Sequence, residues 1–324
     1  MTHLNCLVTG ANGFVGAALV KRLHEIKRFS LRAAVRNGRP PDFPDVPVHA
    51  GLALSAGTDW RPALSAVDCV IHTAARVHVM DDTAADPLAA FRQTNVDGTL
   101  NLARQSAAAG VRRFIFISSI KVNGESSEPG RPCTAEDRPA AADPYGISKA
   151  EAESALRQLA ASTGMEVVII RPPLVYGPGV KANFLSLMRW LGKGLPLPFG
   201  AIDNQRSLVA LGNLVDLLVT CIDHPAAANQ TFLVSDDEAL STTELLRRMG
   251  EALGRPARLW PVPVWLLTRG AALAGQRALS QRLCGSLQVD IAKTKNLLAW
   301  SPPLTVNEGL RIAARHFLDT EGRQ

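Results

Sequence analysis

Tyr145 and Lys149 stand four residues apart in "DPYGISKAEAE" (143–153), and Ser119 closes the β-type run "FIFISS" (114–119) upstream of them. On a helix, an i, i+4 spacing sets the phenol and the ammonium on one face, about one turn apart. A tyrosine with a pKa of ~10 is a poor acid or base at neutral pH. A lysine cation ~4 Å away is worth at most ~4 kcal/mol at an effective dielectric of ~20, roughly three pKa units. That brings the phenol near working pH, where proton transfer is efficient. A Tyr-x-x-x-Lys alone is common by chance. Placed after Ser119 and downstream of a glycine turn, it is specific.

That turn is "VTGANGFVG" (8–16), directly after a strand pattern and directly before a helical one. Gly10 suits a tight turn, Gly13 lets backbone N–H groups approach a pyrophosphate, and Gly16 lets helix and strand pack closely. Asn12, Phe14 and Val15 complete the turn, and the helix N-terminus adds a positive dipole end. A dinucleotide is the expected ligand. The fingerprint asks for an acid about 20 residues on to hold the ribose 2′-hydroxyl of NAD. No acid lies between Glu25 and Asp42, whereas Lys27, Arg28, Arg32, Arg36 and Arg39 do. Arg36, at the expected end of the second strand, suits a 2′-phosphate and can stack on adenine. This favours NADP(H) over NAD(H); a solvated basic loop is the plainer alternative.

The elements that must position these residues follow from alternating short apolar runs and helical stretches. Strands are expected at 4–9, 31–36, 68–73, 113–118 and 166–171, with helices at about 14–27, 86–109 and 144–162. Such βαβ repetition builds a parallel sheet. "TFLVSD" (231–236) can return one more strand, and helices dominate from about 237. The expected division is 1–178, with 206–236, as the nucleotide-binding domain, and 179–205 with 237–324 as a cap. The Pro-, Ser- and Glu-rich stretch 123–143 reads as a substrate lid or a surface insertion.

Composition narrows the classes. Hydrophobic residues at 47% and charged residues at 20% are those of a globular chain. The net charge of +6 suits anionic ligands, yet no Lys/Arg block with aromatic interleaving points to nucleic acid. No apolar run reaches the ~18 residues of a membrane span. The nearest, 261–275, is interrupted by Arg269 and reads as an amphipathic or core helix. Cys6, Cys69, Cys133, Cys221 and Cys284 are scattered without metal spacing, as expected of reduced cytosolic thiols. With no basic-then-apolar leader at the start, the expected location is the cytoplasm. No metal is expected.

With these motifs in order, the chain resembles the extended short-chain dehydrogenases/reductases of the NAD-dependent epimerase/dehydratase superfamily. The resemblance rests on "TGANGFVG" (9–16), "DCVIHTAA" (68–75), "TNVDGT" (94–99), "ISS" (117–119), "YGISK" (145–149) and "RPPLVYGPG" (171–179). It implies a Rossmann-like doubly wound parallel α/β sheet with a smaller, mostly helical substrate-binding cap. It implies that Ser119 bonds the reacting sugar oxygen, Tyr145 exchanges its proton, and Lys149 tunes Tyr145 and holds the ribose. It further implies that Ala74, Ala75 and Ile117 lie along the cofactor and that Pro172 and Val175 line the nicotinamide. Asn95 would support this network, or serve only as a packing amide, and His72 is expected in the core. "HAGLAL" (49–54) lacks the family's adenine-holding acid, which leaves Leu52 and backbone. Asn183 and Arg206 would meet the substrate diphosphate, Pro198 within "PLPFG" (196–200) would border the base, and a homodimer is expected through the helices at 86–109 and 144–162.

Dehydratases of the superfamily carry Asp-Glu after the strand-end hydroxyl, and here Ile120 and Lys121 stand there. Dehydration is therefore disfavoured. "SSIKVNGE" (118–125) and "AARVHVM" (74–80) resemble 4-ketoreductases of the UDP-N-acetylquinovosamine dehydrogenase type. The expected reaction is NAD(P)H-dependent reduction at C4 of a UDP-linked, or other NDP-linked, 4-keto-6-deoxy sugar for surface polysaccharide. Lys121 would reach the substrate phosphate or acetamido oxygen, or lie on the surface. A UDP-sugar 4-epimerase with tightly bound NAD is the alternative, and a non-enzymatic NAD(P) sensor the remote one.

Overall fold

The computed structural model describes residues 3–38, 45–77, 86–273, 275, 281 and 283–321. Its strands are β1 (Leu4–Thr9), β2 (Phe29–Ala34), β3 (Val48–His49), β4 (Cys69–His72), β5 (Arg113–Ile117), β6 (Glu166–Arg171), β7 (Leu174–Tyr176), β8 (Arg206–Ala210), β9 (Thr231–Leu233) and β10 (Ala239–Leu240). The helices needed below are α1 (Phe14–Ile26), α2 (Arg61–Leu64), α3 (Pro87–Phe91), α4 (Thr99–Ala108), α5 (Pro144–Thr163), α6 (Ala182–Gly192), α7 (Leu211–Asp223) and α8 (Thr242–Ala252).

Seven strands form one parallel sheet in the order β3-β2-β1-β4-β5-β6-β9. Successive residues serve opposite faces, because side chains alternate along a strand. Cys6, Val8, Ile71, Ile115 and Ile170 pack with Leu19 and Leu23 of α1 and Leu214 and Leu218 of α7. Leu7, Val70, Phe114, Phe116 and Ile169 pack on the other side with Leu102 of α4 and Leu156 of α5. Both faces are covered, so the strands read as continuous apolar runs. This is the doubly wound α/β architecture expected.

Two details depart from the sequence reading. The second strand starts at Phe29 rather than at 31, because the buried Phe29 ring opens the register with Leu4; Arg36 thus lies two residues past its end. The single helix expected over 86–109 is α3, a π-helical turn Arg92–Gly98, and α4. A Cβ on Gly98 would sit 2.7 Å from the backbone of Leu54, so only glycine lets that segment pass so close. A second core lies apart from the sheet, where Phe184, Leu187 and Leu191 of α6 meet Leu246 and Met249 of α8 and Leu310, Ala314 and Phe317 of the last helix, Val306–Glu321. A three-stranded sheet, β10-β8-β7, stands against it.

Candidate active site

The glycine turn joins β1 to α1. Gly10 has φ +65°, and a Cβ there would lie 2.8 Å from the backbone of Ala74. A Cβ on Gly16 would come within 2.1 Å of the Gly10 carbonyl oxygen, so helix and turn touch there and no larger residue fits. Gly13 N–H donates to that carbonyl at 2.8 Å. Gly13 caps α1 with no side-chain bond, and the first turn, with Phe14 and Val15, contains no acid. The helix therefore presents backbone N–H groups that a side chain has not claimed, which fits an anionic pyrophosphate. Asn12 Nδ2 donates to the Asn37 carbonyl at 2.8 Å, tying the turn to the loop after β2. Arg36 in that loop is exposed, and Leu52 N–H donates to Val35 O at 3.2 Å, bringing the half-buried Leu52 side chain alongside. Arg39 and residues 78–80 of "AARVHVM" lie outside the described residues.

Asn95 lies buried in the π-helical turn. Its Oδ1 accepts from Arg76 N–H at 2.8 Å, while Nδ2 donates to Arg76 O at 3.0 Å and to Ser148 Oγ at 3.1 Å. One amide thus fixes the backbone just after Ala74 and Ala75 and ties it to α5. His72 sits in the core, bonded to Thr9 Oγ1 at 2.7 Å and Thr99 Oγ1 at 3.0 Å. Burial, then the Lys149 charge, pushes its pKa down to about 3, so it stays neutral.

Ser119 follows β5 and caps the short 3₁₀ turn Ile120–Val122, its Oγ accepting from Lys121 N–H at 3.3 Å. Tyr145 lies in the first turn of α5, which Asp143 caps by accepting from Gly146 N–H at 2.6 Å. Ser119 and Tyr145 share a hydrogen bond. Lys149 Nζ donates to Ile117 O at 2.8 Å and lies 4.4 Å from the Phe116 ring centroid and 6.0 Å from that of Tyr145. Pro172 O accepts from Ile120 N–H at 2.9 Å, which seats the buried Pro172 beside this turn; Val175, on β7, is half-buried.

The electrostatics correct the expectation that Lys149 brings the phenol near neutrality. Burial raises the Tyr145 pKa well above its ordinary value, Asp143 adds to this, and the Ser119 hydrogen bond opposes it. Burial pushes Lys149 down to about 7, against the Glu153 carboxylate, which raises it. Both groups are buried, and desolvation shifts each toward its neutral form.

Sequence reasoning missed the layer beneath. Glu153, one turn beyond Lys149 and wholly buried, accepts from Ser118 Oγ at 2.5 Å and from Arg171 at 2.9 and 2.6 Å; Arg171 also donates to Asn123 Oδ1 at 3.0 Å. The signal was available: Tyr145, Lys149 and Glu153 recur at i, i+4, i+8, and Arg171 ends an otherwise apolar strand. Lys121, expected to reach the substrate or lie on the surface, is half-buried. Its ammonium pairs with Asp143 and, at 3.3 Å, with Glu125, because the 3₁₀ turn directs it to the α5 cap. Arg206 Nη1 donates to Gly285 O at 2.9 Å. Asn183 is half-buried in the first turn of α6, and Pro198 is exposed.

A family model, "NAD dependent epimerase/dehydratase family", matches residues 6–235. The chain belongs to that family. A Vibrio cholerae protein named UDP-glucose 4-epimerase is 51% identical over 318 residues, 98% of this chain and 96% of its own length. The fold is that of a Thermotoga maritima UDP-glucose 4-epimerase solved with UDP-glucose (21% identity, TM-score 0.78, covering 98% and 100% of the two chains). It is equally that of a Bacillus cereus UDP-glucuronic acid 4-epimerase solved with NAD (19% identity, TM-score 0.78, covering 98% and 99%). The relative from Vibrio overturns the expected 4-ketoreductase of O-antigen synthesis: the sequence at hand is half identical, end to end, to a protein named as an epimerase. The resemblance to the UDP-N-acetylquinovosamine dehydrogenase type rested on two short motifs and finds no support. Nor does the preference for NADP(H): the family is NAD dependent, and the arginine that suggested otherwise lies beyond β2.

Proposed function

We propose that this chain is a UDP-hexose 4-epimerase that keeps NAD bound between turnovers. The observation that carries the reading is the meeting of Ser119, Tyr145 and Lys149 at one point, in a chain half identical to a protein named UDP-glucose 4-epimerase. The glycine turn would hold the pyrophosphate, with Ala74, Ala75 and Leu52 along the nucleotide and Ile117, Pro172 and Val175 near the nicotinamide. When bound, NAD supplies a reversible hydride acceptor. Tyr145 would take the C4 hydroxyl proton as the alcohol is oxidised and return it to the same oxygen once the 4-keto sugar has turned its other face to the cofactor. Ser119 holds that oxygen through both steps. Lys149 would supply the positive charge that favours the phenolate and would bond the nicotinamide ribose.

Nothing at Ile120 or Lys121 supports dehydration: Ile120 is buried and Lys121 is held by carboxylates. Segments 179–205 and 237–324 would form the substrate cap, with Asn183 at the uncapped start of α6 and Arg206 toward the diphosphate and Pro198 near the base. A cytoplasmic homodimer through α4 and α5 is part of the proposal, and light scattering tests it. The direct test is NMR of UDP-glucose mixed with the purified protein. Appearance of UDP-galactose at the equilibrium ratio is expected, and an unchanged spectrum with UDP-glucose, UDP-N-acetylglucosamine and UDP-glucuronate alike would overturn the reading.

A further inference from the structure

We propose that the cap face built from Trp260 and the helix Val264–Leu273 docks on an anionic lipid surface. No residue of this helix is buried, although it is rich in large apolar side chains. Trp260 is 65% exposed, Trp265 56%, Leu266 44% and Leu273 92%. Trp265, Arg269 and Leu273 fall at i, i+4 and i+8 and so share one stripe, with Leu266 beside it. The Arg269 guanidinium lies 5.3 Å over the Trp265 ring, which leaves its charge at the same edge as the indole. Contiguous exposed apolar surface of this kind marks an interaction site.

Charge identifies the partner. From Ala252 to Val289 the sequence contains no Asp or Glu, but it contains Arg255, Arg258, Arg269, Arg277 and Arg282; the last two lie outside the described residues. Tryptophans and leucines on one face, with Arg269 at its edge and the exposed Arg258 two residues before Trp260, suit the headgroup boundary of an anionic leaflet. A second copy of the chain fits poorly, because a two-fold contact through this helix would bring the two Arg269 side chains together, and the segment 252–289 itself offers no carboxylate to separate them. The helix lies on the surface rather than through it: its 10 residues span about 15 Å, and among the described residues no helix is long and apolar enough to cross a membrane. The face is also joined to the cap. Trp260 N–H donates to Leu197 O at 2.9 Å and its carbonyl accepts from Gly200 N–H at 2.8 Å, so docking places the 196–200 strand at the membrane. The inference does not rest on the reaction assigned above.

The test is co-sedimentation of the full chain with phosphatidylcholine vesicles, with and without phosphatidylglycerol. Binding is expected only with phosphatidylglycerol and should weaken as salt rises. Trp265→Ser with Leu266→Ser, and separately Arg258→Glu with Arg269→Glu, should each lower vesicle partitioning by about tenfold or more. Both variants should keep the wild-type Tm and turnover. Absence of binding to the anionic vesicles, or binding that neither variant changes, overturns the proposal. So does a dimer in solution that Trp265→Ser with Leu266→Ser splits into monomers, since a second copy would then own the face.

Discussion

The end of the sheet around Tyr145 and the cap segment around Trp265 use charge in opposite ways. At the carboxyl end of the sheet the cations are buried or half-buried and answered: Arg171 by Glu153, Lys149 by the Ile117 carbonyl, Lys121 by Asp143. Around Trp265, Arg258 and Arg269 are exposed, and no acid occurs in the sequence for 38 residues (252–289). Burying a charge costs several kcal/mol unless partners compensate, so the first arrangement fixes geometry. An exposed cation in water fixes little, and remains available to something outside the molecule. Precision in one region and availability in the other come from the same residue types.

This contrast can be tested by substitution. Tyr145→Phe should lower turnover by roughly 10²–10⁴-fold, the usual worth of a general acid–base group, with Tm unchanged. A similar Tm but retained turnover would remove Tyr145 from the chemistry. Arg171→Leu leaves the Glu153 carboxylate buried with part of its pairing gone and should cost about 3–5 kcal/mol, read as a fall in Tm or in denaturation midpoint. Acid titration gives the same pair a sign. Burial raises the Glu153 pKa, but the hydrogen bond and charge of Arg171 outweigh it, and the net folded value is lowered. Its contribution is present above the ordinary carboxylate pKa and lost as pH falls through the folded one, so Arg171→Leu should lose its acid-side slope.

Lys121→Ala should act more gently, loosening the 3₁₀ turn from the α5 cap and leaving Asp143 to raise Tyr145 further. About tenfold in turnover is expected with little change in substrate affinity, and Lys121→Arg should restore most of it. Glu153→Gln should move a pH limb. Lys149 is charged below about pH 7, and Glu153 favours that charge; above it the ammonium is lost and the phenolate is harder to form. The falling limb of turnover should therefore shift to lower pH in the variant. A limb that stays in place would dissociate it from Lys149.

What was legible in the sequence follows the same division. The central strands β1, β4, β5 and β6 are four to six residues long and mostly apolar, covered on both faces, and the glycine turn has a spacing that admits few readings. Those residues carry the pattern themselves. The strands β7 and β10 of the smaller sheet are three and two residues long, too short for a period to show. The π-helical turn depends on Gly98 meeting Leu54, a contact no local pattern records. Lys121 depended on where a three-residue turn would aim it. Segment 261–275 reads as an amphipathic or core helix, and that no residue of Val264–Leu273 is buried among the described residues is a property of the fold.

The most direct test of the epimerase account is the nucleotide content of the purified protein after desalting, followed by addition of UDP-glucose with no cofactor. The account predicts about one NAD per chain surviving the column and conversion to UDP-galactose without any added nucleotide. An empty protein that turns over only when NADH or NADPH is supplied, consuming one equivalent per sugar, would contradict it.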